Sequence, residues 1–239
     1  MISLVAAAWK IADARLDSFI EWNREAFESC GAELVLVSDR NLCRPEPWVK
    51  SPVYPLPQEI FSIPRTVNYG IRRASGEIIV KTDVDIVFSR EILRLVGTHV
   101  RPGRGMVGIC ANLKNATWAP KTDWNRARKR HRGRGACFAM HRDDWLSLRG
   151  YNEVITGWGA DDNDMWLRAS RTIKMAESRE CPIYHVAHPS RKNAETFPDW
   201  GKKNLKISRQ GCRNPENWGD PLSELKESGD GGGEDVSED

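Results

Sequence analysis

The stretch Glu77-Ile78-Ile79-Val80-Lys81-Thr82-Asp83-Val84-Asp85 decides the fold. Its first part is apolar and β-branched, which suits a short strand inside a sheet. Two carboxylates follow at once. Ligands of open α/β sheets bind at the carboxyl ends of strands, so an acid pair placed there reads as a site. One carboxylate of such a pair can hold a hard divalent cation, and the other can reach a ribose hydroxyl or a metal-bound water. The plainer reading is an acidic turn capping the helix that follows.

Working outward, the same alternation of elements recurs. Ile2 to Ala8 is a compact apolar run, and Glu33 to Ser38 is another. Between them Leu16, Phe19, Ile20 and Phe27 recur at helical spacing up to Cys30, with Gly31 as the stop. Strand, helix, strand in this order predicts a right-handed βαβ unit and a parallel sheet. Pro45 to Pro64 holds six prolines and predicts an irregular connection. Arg65 to Ser75 reads as a helix closed by Gly76, and Arg90 to Val96 as a short one. Met106 to Ala111 and Ala136 to Met140 read as strands, with a polar, mobile loop over Lys114 to Gly135 between them. Helices follow at Arg142 to Leu148 and Asp161 to Arg171, then a last strand at Cys181 to Val186. The chain thus reads as a single α/β domain with a mixed, mainly parallel central sheet flanked by helices. Residues 1–100 form its first half and 101–212 its second. Residues 213–239 form an extension whose acidic, Gly-rich tail from about 228 is expected to be disordered.

Composition excludes some classes. Of 239 residues, 40% are hydrophobic, enough for a substantial core. No apolar run approaches the roughly 20 residues of a membrane span, and the short N-terminal run lacks the flanks of a signal peptide. Six cysteines are scattered without a CxxC pair, so we expect buried thiols and a soluble, cytoplasmic protein. The net charge of +3 is too small to name a partner.

Three further constellations carry chemistry. In Gly157-Trp158-Gly159-Ala160-Asp161-Asp162-Asn163-Asp164, three acids open a helix. Acids there complement the helix dipole, and one beside a hydroxyl can serve as general base. Trp158 can stack on a sugar face or fill core. His185-Val186-Ala187-His188 sets two imidazoles at a strand end, where one can complete an oxygen and nitrogen shell with Asp85. Arg126 to Arg134 (RARKRHRGR) is a basic run that suits a solvated loop, a diphosphate clamp or a nucleic-acid backbone.

Taken in order, Arg65-Thr66-Val67-Asn68-Tyr69-Gly70-Ile71, Ala74-Ser75-Gly76-Glu77-Ile78-Ile79, Asp83-Val84-Asp85, Gly150-Tyr151-Asn152-Glu153, the Gly157–Asp164 segment and His185–His188 resemble the GT-A glycosyltransferases. They are most similar to the family-2-like group and to the C-terminal motif of the β-1,4-galactosyltransferases, over roughly residues 2 to 190. The resemblance implies a GT-A, Rossmann-like fold, a nucleotide-sugar donor (UDP-linked), and Mn²⁺ or Mg²⁺ as cofactor. It implies Asp85 as metal ligand with His188, His185 being the weaker match. It places Asp83 at the ribose, Asp39 at the nucleobase and Arg65 near the donor nucleotide. Asp162 matches the catalytic base, while Asp161, Gly159 and Trp158 match acceptor or sugar contacts. Two departures stand out. Ala160 replaces a usual glycine, and position 161 carries the shorter acid. Retaining GalNAc-transferases have an amide where this chain has Asp162, so the acid implies inversion.

The acceptor stays open between a saccharide, a small molecule and a polyanion such as DNA with hydroxymethylated pyrimidines. The last reading rests on the seven Lys/Arg between Lys121 and Arg134. Two rival functions remain: a nucleotidyltransferase, which also uses a strand-end acid pair with metal, and a non-catalytic nucleic-acid-binding protein using the basic run.

Overall fold

The computed structural model describes residues 1–55, 62–113, 128–157, 159–179, 183–186, 198–211 and 213–221, with backbone alone over 128–132 and 198–199. The elements run β1 (Ile2–Ala7), α1 (Asp13–Ser29), β2 (Glu33–Val37), β3 (Val49–Lys50), α2 (Ile63–Arg73), β4 (Ile78–Thr82), β5 (Ile86–Val87) and α3 (Arg90–His99). They continue β6 (Arg104–Asn112), β7 (Arg128–His141), α4 (Arg142–Leu148), α5 (Asp161–Ala169), β8 (Lys174–Glu177), β9 (Ile183–His185) and α6 (Pro198–Gln210). One sheet runs β3-β2-β1-β4-β7-β6-β9-β5, and β8 pairs with β6. β3, β2, β1 and β4 are mutually parallel, as are β6–β8 and β6–β9, while β7 is antiparallel to both neighbours. The expected mixed, mainly parallel sheet is what forms.

Strand alternation builds a core on each face. Leu4, Ala6, Leu34, Leu36 and Val80 face one side, where Leu16, Phe19 and Phe27 of α1 and Ile92, Leu93 and Val96 of α3 cover them. Val5, Val35, Val37 and Ile79 face the other, with Val67 and Ile71 of α2, Trp145, Tyr151 and Met165. Because β1, β2 and β4 run parallel and in register, their carboxyl ends share one edge. Asp39 follows β2 there and Asp83 follows β4. The chain then turns through Asp83–Asp85, and β5 pairs antiparallel with β9 so that Ile86 stands opposite His185. That pairing carries His185 to the same edge.

The expected loop over Lys114–Gly135 is corrected from residue 128 onward. Residues 128–135 belong to β7, which pairs with β6 from Met106–Ala139 to Asn112–Arg128 through register shifts at Val107/Gly108 and Ala111/Asn112. Ladder hydrogen bonds use backbone groups, so a charged, Gly-containing run can extend a hairpin beyond the core. Residues 114–127, and the tail expected to be disordered, lie outside the described residues. β8 and α6 were not expected from the sequence. No helix among the described residues is long and apolar enough to cross a membrane. Cys110 and Cys137 are buried free thiols, as expected, whereas the free thiols Cys30 and Cys43 are half-buried and exposed; Cys181 and Cys212 lie outside the described residues.

Candidate active site

Asp83 of the acid pair and Asp162 of α5, seventy-nine residues apart, meet at Lys81. Its Nζ lies 3.0 Å from Asp83 Oδ1 and 3.6 Å from Asp162 Oδ1, and it donates to Gly135 O at 2.7 Å. The Lys81 side chain is only 2% exposed. Burial alone disfavours its charge, but Asp162, Asp83 and Asp161 outweigh that and raise its pKa above the ordinary lysine value. Burial also pushes the Asp83 carboxyl up, against Lys81, with Asp85 and Asp162 adding to the rise. The Asp83 side chain keeps 45% of its surface open, so solvent moderates the effect.

α5 begins at Ala160, whose φ of 69° and ψ of −9° are left-handed. That turn directs Asp161 inward and Asp162 toward Lys81. Asp161 is 6% exposed, and burial, then Asp162, push its carboxyl up to about 7. Asp162 Oδ1 accepts from Tyr151 Oη at 3.3 Å. Asp162 Oδ2 lies against Gly135, where an added Cβ would come within 2.3 Å of it. Only glycine leaves that carboxylate its seat. A cleft of about 410 Å³ is lined by Lys81, Asp83, Gly135, Gly159, Ala160 and Asp162, among others.

A second cleft of about 320 Å³ shares Asp83, Arg134 and Gly135 with the first and adds Cys110, Asn112 and His185. Asp85 Oδ2 lies 3.5 Å from His185 Nε2 and accepts from Arg15 Nη2 at 2.8 Å. The hydrogen bond with Asp85 raises the His185 pKa, and burial opposes it. Asn112 Oδ1 is buried and has no hydrogen-bond partner among the described residues. A carboxylate, an imidazole and an orphaned amide oxygen are donors that suit a hard or borderline divalent cation. The set fits Mn²⁺, although no group of three His, Cys, Asp or Glu side chains poised for a metal occurs among the described residues.

Residues 118–189 match the family model described as the N-terminal domain of galactosyltransferase. The whole fold is similar to solved glycosyltransferases. The catalytic domain of Drosophila β-1,4-galactosyltransferase 7 with xylobiose superposes with a TM-score of 0.53 at 14% identity, covering 90% of this chain and 81% of that one. The fold is that of the GT-A glycosyltransferases. Staphylococcus aureus TarS residues 1–349 with UDP-GlcNAc give 0.58 at 12% identity, covering 92% and 69%. The mannosyltransferase PcManGT from Pyrobaculum calidifontis, with GDP-Man and Mn²⁺, gives 0.57 at 16%, covering 91% and 66%. No curated protein matches the sequence.

Within this GT-A fold, Asp83, Gly159, Asp161 and Asp162 line the first cleft, and Asp83 and His185 the second. Asp85 adjoins His185. Asp39 stands at the same sheet edge, its Oδ1 accepting from Lys10 N at 3.2 Å and 3.4 Å from Arg40 Nη1. Arg65 lines neither cleft; its Nε donates to Glu153 O at 3.4 Å. Trp158, His188 and most side chains of the basic run lie outside the described residues. Arg134 is described: its guanidinium sits 4.3 Å from the Trp166 ring centroid and donates to Asn163 Oδ1 at 3.2 Å. Sequence reasoning missed Lys81, Tyr151, Gly135 and Asn112 as site residues. A lysine inside an apolar strand, directly before an acid pair, was the available signal for Lys81.

Proposed function

We propose that the chain is a metal-dependent, inverting glycosyltransferase that moves a sugar from a UDP-linked donor to an acceptor hydroxyl. The observation that carries this is the meeting of Asp83 and Asp162 at Lys81 Nζ. It joins a strand-end acid pair, suited to a nucleotide diphosphate, with a carboxylate suited to taking a proton. Asp83 orients the ribose and Asp39 approaches the nucleobase along the same edge, with Arg65 near the donor nucleotide. Asp85 holds the cation with His185 or His188; Mn²⁺ is favoured over Mg²⁺ because the set includes imidazole. When bound, the cation neutralises charge on the departing diphosphate.

Asp162 accepts the acceptor hydroxyl's proton as its oxygen attacks the anomeric carbon from the face opposite the leaving group. A single displacement of this kind inverts the anomeric centre. Gly159, Asp161 and Trp158 form the acceptor or sugar wall. Positioning, rather than proton transfer alone, supplies most of the acceleration. The similar solved structures hold UDP-GlcNAc, GDP-Man and xylobiose, so a saccharide acceptor is the first reading. DNA with hydroxymethylated pyrimidines is the polyanionic alternative. The free thiols support a reducing compartment, and we place the reaction in the cytoplasm.

The test is incubation with UDP-glucose, UDP-galactose, UDP-GlcNAc and GDP-mannose plus Mn²⁺, reading free nucleotide diphosphate, with saccharides and hydroxymethylated DNA as acceptors. Release of UDP, lowered at least about 10²-fold in Asp162→Asn, is the expected result. Release of inorganic diphosphate indicates a nucleotidyltransferase. Unchanged turnover in Asp162→Asn removes the base from this role.

A further inference from the structure

The reaction above leaves Lys81 without a task. It is the penultimate residue of the apolar strand β4 and is buried, where an ammonium is costly to desolvate unless oxygens surround it. Three segments supply those oxygens: the turn after β4 through Asp83 Oδ1 at 3.0 Å, β7 through Gly135 O at 2.7 Å, and α5 through Asp162 Oδ1 at 3.6 Å. A well-packed apolar side chain fills such a strand position at less cost. The charge therefore has a reason outside core packing.

We infer that Lys81 is a positioning residue that ties Asp83, on the donor side, to Asp162, on the acceptor side, and so sets the aim of the catalytic base. The inference rests on the assignment of Asp162 as base. Asp162 stands in the first turn of α5, and its side chain is 30% exposed. Without Lys81, Tyr151 Oη alone of these two groups would hold its carboxylate. Lys81 and Tyr151 both lie at Oδ1, which leaves Oδ2, against Gly135, as the oxygen that takes the proton. Gly135 belongs to the same arrangement: its carbonyl holds Lys81, and its missing Cβ makes room for the carboxylate that Lys81 holds. One ammonium thereby aligns the two halves of the reaction, since a misplacement of about 1 Å at the base costs on the order of 10²-fold in rate.

A double-mutant cycle tests this. Lys81→Met, Lys81→Arg, Asp162→Asn and the double variants are compared by nucleotide released, with Mn²⁺, from whichever of the four donors the wild type turns over. Lys81→Met is expected to lower kcat about 10²-fold in the wild-type background and less than about 3-fold when Asp162 is already Asn, because residues acting as a unit are not additive. Lys81→Arg is expected to recover part of the loss. Equal losses in both backgrounds, or full turnover in Lys81→Met, overturn the inference while leaving the base assignment intact. If Lys81→Met fails to fold, Lys81→Arg is read across the same two backgrounds, and an additive loss overturns the proposal. A wild type that releases nothing from any donor overturns the assignment of Asp162, and the role of Lys81 with it.

Discussion

Ala160 shows how a single backbone angle serves this site. Its φ of 69° sets the start of α5, and a left-handed angle costs a residue with a Cβ about 1–2 kcal/mol. Glycine removes that cost and loses part of the gain to unfolded-chain entropy. Ala160→Gly is therefore expected to stabilise the fold by about 0.5–1 kcal/mol, read from the midpoint of urea unfolding; a destabilised variant contradicts the account of this turn. The acids were legible in the sequence because two clusters of carboxylates at element ends are uncommon and chemically specific. Lys81 was not, because a residue inside a strand is read by its neighbours' hydropathy, and its partners lie on β7 and α5. Gly135 escaped for the same reason: its importance comes from Asp162, twenty-seven positions away in the chain.

Glu33 joins several elements at the opposite end of the parallel strands. It opens β2, accepts from Ser3 Oγ of β1 at 2.5 Å, pairs with Lys50 of β3 at 2.6 Å, and accepts from Ser75 N and Oγ just before β4. Burial opposes its charge, but the bonds from Lys50, Ser3 and Ser75 win and lower its pKa to about 2. A carboxylate whose folded pKa is depressed adds stability that is complete above its unfolded pKa of about 4.5 and lost as pH falls through about 2. Glu33→Gln is expected to cost about 3 kcal/mol at pH 7, and to flatten the stability profile between about pH 4.5 and 2; a profile as steep as the wild type's in that window contradicts it. Elements with strong periodicity, such as β1, α1, β2 and β4, were legible because each buries a continuous apolar face. The first part of β7, residues 128–135, and α6 were not. A hairpin arm held by backbone ladders carries no hydropathy signal, and Pro198–Gln210 presents few apolar residues to announce a helix.

At the scale of the whole molecule, one sheet brings the two chemistries together. The parallel strands deliver Asp39 and Asp83 to one edge, and the β6–β7 hairpin carries Gly135 between the acid pair and α5. The antiparallel return of β9 brings His185 beside Asp85. Motif order along the chain was enough to expect the fold. The convergence itself belongs to tertiary packing, which a linear pattern does not encode. The most direct test is a crystal structure with UDP and Mn²⁺, using manganese anomalous scattering. The account predicts an anomalous peak beside Asp85, with the diphosphate in the cleft that Asp83 shares with Asp162. A nucleotide and metal bound on a surface remote from Asp83 and Asp162 would contradict it.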